Sequence, residues 1–300
     1  MLVSRQKGVT MKLVTYLHNG QTLVGVVHSD GIVDLSSIVP DMLSLIGGGS
    51  PLLDRVRERL ESEAPAIPLE RVTLLAPIPN PRRNVVCLGL NYAEHAKESA
   101  EARGREYKQQ QHPVFFTKAT HTINRPDGVI PFDAAVSEQI DWEAELGVIL
   151  GRSGKNIPID HAMEYVFGYT CIDDISARDL QANHSQFFKG KSLDGACPMG
   201  PWIVTADEIP DPHCLAIRTR VNGTTLQDSN TSKMIFRIPQ LIEFISASIT
   251  LEPGDLIATG TPEGVGAFRE PPVYLKAGDV VEVEVERLGV LQNLVVAAKS

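Results

Sequence analysis

The chain has 300 residues, of which 43% are hydrophobic and 22% charged, a composition typical of a globular protein with a sizeable core. Its formal net charge is −9, from 28 basic and 37 acidic residues, and no basic stretch offsets it, which argues against nucleic acid or an anionic membrane as a partner. No apolar run reaches the roughly 18 residues of a membrane helix, and the four cysteines lack metal-site spacing, so we expect a reduced, cytoplasmic setting.

The first part of the chain predicts a small α+β unit. Residues 1–10 lack the apolar core of a signal peptide and are expected to be a loose extension. Alternating apolar residues predict strands over "KLVTYL", "TLVGVV" and "IVDL". Ser50 and Pro51 favour the start of a helix there. The proline-rich segment 74–84 resembles a linker, so we predict one domain at 1–75 and a larger one at 76–300.

Strand-like stretches dominate the second part, with a few short helices, so the predicted fold class is α+β, mostly β. Asn91 follows the first of these strands and is predicted to cap a short helix. Residues 99–112 then form a long polar connection without a pattern. Such a connection is either a lid over a site or a tolerated surface insertion.

Two carboxylates alternate in the stretch "SEQIDWEAELGVIL" at 137–150. Glu143 and Glu145 project from the same face of a strand, because side chains two residues apart share a face. Either this face is wet, as expected for "VVEVEVE" at 280–286, or a hard cation with oxygen ligands lies between the carboxylates. The local pattern leaves both explanations open.

A third carboxylate follows the apolar strand in "FGYTCIDDISARDLQ". Asp173 or Asp174 ends that strand, and Arg178 and Gln181 share one face of the helix after it. Arg178 has an alternative as a surface partner of Asp179.

His95 and Glu98 are three residues apart on the predicted short helix, so a carboxylate could orient a histidine base; an exposed helical pair is the alternative. The glycine-rich stretch "TGTPEGVG" lacks the Lys and Ser/Thr of a nucleotide-binding loop. Its glycines let the backbone approach a small anion, and Thr261 adds a hydroxyl.

Five stretches together resemble the fumarylacetoacetate hydrolase family, in the family's order and over roughly residues 75–295. They are "GLNYAEHAKE", "DWEAELGVILG", "GYTCIDDISARDLQ", "FFKGKSLDGACPMGPWIV" and "GDLIATGTPEGVG". The resemblance implies a mixed β-roll or sandwich catalytic domain, the small N-terminal domain of the bacterial members, and a homodimer.

The resemblance also implies a role for individual residues. The metal ligands would be Glu143, Glu145 and Asp174, holding Mg²⁺ or else Mn²⁺ or Ca²⁺. The catalytic residues would be the water-activating pair His95 and Glu98, with the active-site lysine Lys191. The substrate-binding residues would be Arg178, Gln181, Thr261 and Lys118. At Lys118 the chain departs from many relatives, because Ala119 stands where they have proline.

The implied activity is metal-dependent hydrolysis of a C–C bond in a 2-oxo or β-diketo acid, of the acylpyruvate or diketo-deoxy acid type, through a metal-stabilised enolate. Three carboxylates and one divalent ion sum to −1, and Arg178 and Lys191 would reverse that sign for an anionic small-molecule substrate. Other activities stay open: an oxaloacetate-type decarboxylase, an isomerase of an unsaturated hydroxy-dioate, a ureidoglycolate lyase-like enzyme, or a catalytically silent metabolite binder. The histidine–glutamate pair favours hydrolysis or decarboxylation over isomerisation, because water activation requires a base.

Overall fold

The computed structural model describes residues 11–298, so the loose extension predicted at 1–10 lies outside the described residues. The strands of the first part are β1 (Lys12–His18), β2 (Gln21–His28), β3 (Gly31–Asp34), β4 (Ile67–Pro68) and β5 (Thr73–Leu74). Helix α1 (Met42–Ser62) is kinked at Gly49, where φ is +59°. The helix start predicted at Ser50 is therefore the start of its second half. The first half begins at Asp41, whose side chain accepts a hydrogen bond from the Ser44 N–H.

The second part contributes shorter helices and most of the strands. Its strands are β6 (Val85–Gly89), β7 (Val114–Lys118), β8 (Ile123–Asn124), β9 (Val129–Phe132), β10 (Ile140–Asp141), β11 (Ala144–Leu150), β12 (Val166–Asp173), β13 (Ser176–Ala177), β14 (Cys197–Thr205), β15 (Ala216–Val221), β16 (Thr224–Asn230), β17 (Leu256–Ala258), β18 (Val280–Val285) and β19 (Gly289–Ala297). Its helices are α2 (Ala93–Ala102), α3 (Arg178–Asn183), α4 (Phe188–Lys191) and α5 (Ile238–Ser246).

The main sheet runs in the order β4-β3-β2-β1-β14-β12-β11-β17-β6-β7, with β5 beside β1 and β8 beside β14. Its pairs are antiparallel except for β17 with β6 and β14 with β8. A second sheet runs β16-β15-β18-β19-β9. The mostly-β, α+β fold class predicted from the sequence is confirmed.

The centre of the main sheet is covered on both faces. Every residue of β11 and β12 is buried, which explains why these strands have nearly continuous apolar sequences. One face packs against α5 and the second sheet, and the other packs against α1. Strand β18, in contrast, alternates buried and half-buried residues, and its Glu282 and Glu284 pair with Arg220. The "VVEVEVE" stretch is therefore a partly wet sheet face, as predicted.

The N-terminal strands extend the main sheet directly. In β1, Lys12 lies opposite Val204 of β14, and Leu13 lies opposite Ile203. Leu13 also belongs to one apolar cluster with Met199. The domain boundary near residue 75 stays a prediction.

All four cysteines are unpaired thiols, and three of them are buried. Among residues 11–298, no helix has both the length and the apolar composition needed to cross a membrane.

Candidate metal centre and active site

The pairing of two neighbouring strands brings three carboxylates together. Strands β11 and β12 are antiparallel with Ala144 opposite Asp173, and the Asp174 N–H donates to the Glu143 carbonyl over 2.9 Å. Glu143, Glu145 and Asp174 are all buried, and each offers an oxygen within 4.8 Å of the others. The structure therefore assembles the cluster that the sequence predicted. Asp173 lies outside the cluster, and its side chain accepts from the Glu143 N–H.

The surroundings of Glu145 indicate that this cluster suits a cation. Its Oε2 accepts from the Gly260 N–H at 2.8 Å, while its Oε1 is buried and has no hydrogen-bond partner within the described chain. Burial, together with the charges of Asp174 and Glu143, raises the pKa of Glu145 well above its ordinary value. An all-oxygen donor set with an unsatisfied buried oxygen fits a hard divalent ion such as Mg²⁺, Mn²⁺ or Ca²⁺.

Two buried lysines contact the cluster from different sides. Lys118 Nζ lies 2.7 Å from Asp174 Oδ1, and Lys191 Nζ lies 2.7 Å from Glu143 Oε2 and 2.9 Å from Asp174 Oδ2. Burial opposes the ionisation of Glu143, but the charges of Lys191 and Arg178 outweigh it and lower the pKa of Glu143 to about 2. The pKa values of Glu143 and Glu145 thus shift in opposite directions, because Glu143 is in direct contact with Lys191 and Arg178, whereas the influence of Lys191 on Glu145 is outweighed by burial and by the neighbouring carboxylates.

A cavity of about 220 Å³ opens beside the cluster. Six of the polar residues that line it are Glu143, His95, Lys191, Arg178, Gln181 and Thr261. Its apolar wall includes Leu88, Phe116, Phe187 and Phe268. Most of the predicted catalytic and substrate-binding residues therefore face one space. Lys118 is not among the residues that line this cavity, and its Nζ instead contacts Asp174 Oδ1 and donates to the Ile175 carbonyl.

The predicted histidine–glutamate pair lies on α2, where His95 lines the cavity and Glu98 is not among the lining residues. His95 Nδ1 is 3.9 Å from Glu98 Oε2, which is too long for a hydrogen bond, and this nitrogen is buried without a partner in the described residues. Glu98 Oε2 instead accepts from the Gly264 N–H at 3.2 Å. The His95 ring lies 5.7 Å from the Phe268 ring, centroid to centroid.

The predicted cap of α2 is wrong. The helix begins after Tyr92, and the buried Asn91 side chain donates instead to the carbonyls of Phe236 and Thr259. Asn91 therefore attaches the segment before α2 to the loop that follows β17. Ser99 and Arg103, from the start of the predicted lid, line the cavity.

Arg178 is an internal residue, so the alternative of a surface pair with Asp179 is wrong. Its Nε lies 2.8 Å from Asp141 Oδ2, and its Nη1 lies 2.6 Å from Glu143 Oε1 and 3.1 Å from Gln181 Oε1. Its Nη2 is buried and has no partner in the described part of the chain. This nitrogen leaves two guanidinium N–H groups for a ligand.

Two residues near the cavity were not assigned a role from the sequence. Gln227 donates to Thr261 Oγ1 at 2.9 Å and to the Pro262 carbonyl at 2.9 Å, which orients the predicted substrate-binding hydroxyl. Asp141 holds Arg178. The sequence pattern could have indicated Asp141, because it lies two residues before Glu143 and so extends the alternation of Glu143 and Glu145.

The charges around the cluster nearly balance. The basic side chains are Lys118, Lys191 and Arg178, and the acidic ones are Asp141, Glu143, Glu145 and Asp174. Three positive and four negative charges leave −1 when these seven are ionised, and one divalent ion would turn this into +1. Asp173 does not enter the sum, because burial raises its pKa to about 8. A loaded site would thus attract an anionic ligand.

Comparison with known proteins gives the family. Residues 84–296 match the family model described as fumarylacetoacetate (FAA) hydrolase C-terminal. The mitochondrial oxaloacetate tautomerase Fahd2a of Rattus norvegicus is 42% identical over 275 residues, which cover 89% of this chain and 84% of the relative. The oxaloacetate tautomerase YisK of Bacillus subtilis is 46% identical over 225 residues, covering 75% of this chain and 73% of the relative.

A solved structure extends the likeness to the whole fold. Maleylpyruvate hydrolase from Sphingobium sp. SYK-6, in complex with a manganese(II) ion and pyruvate, matches with a TM-score of 0.79 and 30% identity, covering 96% of this chain and all of that one. The matched family model, the relatives and the solved structure together identify the chain as an enzyme. The chain belongs to the fumarylacetoacetate hydrolase family.

Proposed function

We propose that this protein interconverts the enol and keto forms of oxaloacetate or a closely related short 2-oxo diacid, with a divalent ion bound by Glu143, Glu145 and Asp174. The observation that carries the proposal is the small cavity in which a histidine and two cations face the carboxylate cluster. The names of the rat and Bacillus subtilis relatives, both oxaloacetate tautomerases, support it.

The reaction moves one proton between the enol oxygen on C2 and the adjacent carbon C3, while the double bond shifts between C2–C3 and C2–O, and no σ bond between heavy atoms is made or broken. Imidazole both accepts and donates protons near neutral pH, so His95 is the proposed proton carrier. The unpaired Nη2 of Arg178 would bind a substrate carboxylate, and Lys191 would stabilise the negative charge that develops on the oxo oxygen. A bound divalent ion would act as a Lewis acid towards the oxo acid.

Hydrolysis of a C–C bond, the activity predicted from the sequence, is the second candidate. The proximity of Glu98 to His95 favours it, because hydrolysis requires an activated water and proton transfer to an enol does not. The maleylpyruvate hydrolase with bound manganese and pyruvate, 30% identical, supports it as well. Decarboxylation, isomerisation of a hydroxy-dioate and ureidoglycolate cleavage remain alternatives for the same site.

Two assays on one protein separate these reactions. The protein is stripped with EDTA and reloaded with Mg²⁺ or Mn²⁺. Loss of enol oxaloacetate is followed by its ultraviolet absorbance, and release of pyruvate is followed with lactate dehydrogenase. Tautomerisation predicts faster loss of the enol without pyruvate. Pyruvate from oxaloacetate would indicate a decarboxylase, and pyruvate from an acylpyruvate would indicate the hydrolase. An enol decay equal to that of buffer would refute the proposed function.

The assembly and the location of the protein stay predictions. We propose a homodimer, which sedimentation velocity would test by mass. The cytoplasmic setting is also a proposal, and the rat relative carries the description mitochondrial.

A further inference from the structure

Asp141 is a fully buried carboxylate that lies outside the three-carboxylate cluster. Both of its oxygens are used as acceptors. Oδ1 accepts from the N–H groups of Trp142 at 2.9 Å and Gly266 at 2.7 Å. Oδ2 accepts from the Ala267 N–H at 3.0 Å and from Arg178 Nε at 2.8 Å. One carboxylate therefore joins a substrate-binding side chain to a loop from a distant part of the sequence.

The contact with Arg178 determines which part of the guanidinium is left free. Asp141 takes Nε, and Nη1 is taken by Glu143 and Gln181. Nη2, which is buried and unpaired in the described chain, is the donor that remains. A guanidinium is planar and rigid, so fixing Nε also fixes the direction of Nη2.

The loop held by Asp141 reaches the histidine. It includes the 3₁₀ turn Gly266–Phe268, whose Phe268 ring lies 5.7 Å from the His95 ring. The same loop donates the Gly264 N–H to Glu98. Two carboxylates, Asp141 and Glu98, thus hold one loop against the cavity.

Gly266 shows that this contact requires close packing. A Cβ at this position would lie 1.9 Å from the Val273 carbonyl oxygen and 2.7 Å from Asp141 Oδ1. Only glycine lets the backbone N–H approach the carboxylate here.

We propose that Asp141 is a positioning residue, which holds the substrate-binding guanidinium of Arg178 and the loop against His95 as one unit. It contacts neither substrate nor ion and acts through these two groups. A carboxylate suits the position because both of its oxygens accept hydrogen bonds, two donors to each oxygen. The amide of asparagine would place an NH₂ group, itself a donor, against two of these four donors. The role in turnover rests on the proposed function, but the effect on anion binding does not.

The test compares Asp141→Asn with a matched variant, Ser246→Ala. Ser246 is also fully buried, and its hydroxyl accepts from the Ile157 N–H outside the cavity. The probe is oxalate, titrated into magnesium-loaded protein by calorimetry. For Asp141→Asn we expect the Kd of oxalate to rise about tenfold or more, with the thermal shift produced by Mg²⁺ alone unchanged. Ser246→Ala is expected to bind oxalate as the wild type does.

Kinetics give a second readout if oxaloacetate is turned over. Misplacement of Arg178 is expected to raise KM by a larger factor than it lowers kcat, whereas a general loss of folded protein would lower kcat alone. Absence of turnover in the wild type would refute the proposed function and leave the oxalate titration as the test of Asp141.

Arg178→Met alone covers the case in which Asp141→Asn does not fold, because it leaves Asp141 with its three backbone N–H donors, and wild-type oxalate affinity in this variant would overturn the proposal. A double-mutant cycle applies where Asp141→Asn does fold. Arg178→Met and the double variant Arg178→Met with Asp141→Asn lack the guanidinium, so they are expected to bind oxalate with equal, weakened affinity. A further tenfold loss of oxalate affinity in the double variant would overturn the proposal, because the effect of Asp141 on anion binding would then not pass through Arg178. Wild-type affinity in Asp141→Asn, or no oxalate binding by the wild type, would overturn it as well.

Discussion

Replacing Glu145 with glutamine should change the free energy of unfolding differently in the ion-free and the ion-bound protein. In the ion-free protein, burial and the charges of Asp174 and Glu143 raise the pKa of Glu145 well above its ordinary value of 4.5. At any pH between 4.5 and this raised pKa, the Glu145 side chain therefore holds a proton in the folded protein. Glutamine has nearly the same shape and is also neutral. We therefore expect the free energy of unfolding of the ion-free variant to change by only about 1 kcal/mol at mildly acidic pH.

In the ion-bound protein, the same substitution should cause a large loss of stability. At an ion concentration 100 times the Kd, binding stabilises a folded protein by about 2.7 kcal/mol. Glu145→Gln removes one charged ligand of three and should lose most of this gain. Equal metal stabilisation in the variant and the wild type would refute the assignment of Glu145 as a ligand.

The pH dependence of the ion-free protein gives an independent check. A folded pKa above the unfolded value means that folding takes up a proton, so stability is fully present below pH 4.5 and is lost as the pH rises towards the folded pKa of Glu145. The slope from one such group is at most about 1.4 kcal/mol per pH unit. Asp173, whose pKa burial raises from 3.8 to about 8, adds a slope of the same sign that remains in the variant.

Urea unfolding at several pH values, in EDTA and in excess Mg²⁺, measures both effects. Glu284→Gln is the matched control, because it makes the same chemical change on the partly wet strand β18. It should leave the metal stabilisation unchanged. An ion-free pH slope that is the same in Glu145→Gln and the wild type would contradict the raised pKa.

Four further predictions follow from the same contacts. His95→Asn should lower turnover by ~10²–10⁴ and leave the thermal shift with Mg²⁺ unchanged; a rate near that of the wild type would exclude His95 as the proton carrier. Lys191→Met leaves Glu143 and Asp174 without their shared cation, so urea unfolding in EDTA should show a loss of ~3–5 kcal/mol, partly restored by Mg²⁺. Asp173→Asn should flatten the fall of stability between pH 3.8 and about 8, since the neutral amide cannot ionise. EDTA should abolish turnover, and a panel of Mg²⁺, Mn²⁺ and Ca²⁺ should restore it to different degrees.

The sequence predicted that Glu143 and Glu145 share a face, but it could not say which kind of face. The alternation of Glu282 and Glu284 is the same local pattern, and in the structure it lies on a partly wet sheet beside Arg220. The two glutamate pairs differ in where they lie, one at β11 in the centre of the main sheet and the other on β18 in the second sheet, and this depends on the neighbouring strands. Only the joint resemblance of five stretches indicated the buried alternative.

Contacts between distant parts of the chain account for what the sequence did not predict. Asp141 meets Gly266 across 125 residues, and Asn91 meets Thr259 across 168 residues. A pattern of neighbours along one strand contains no information about such partners. Lys118 was expected to bind substrate, yet its side chain, at the end of β7, contacts Asp174 and does not line the cavity. Glu143 and Glu145 were found because their chemistry repeats locally and Asp174 through the family resemblance, whereas no local pattern indicates which distant residues the supporting side chains contact.

The pairing of β1 with β14 determines how the protein can be shortened. A chain that began at residue 76 would leave the backbone of β14 open along this edge, and the apolar side chains next to it would meet water. Open edges of this kind recruit strands from other molecules and promote self-association. The N-terminal strands thus cover an edge of β14 that would otherwise be open to self-association.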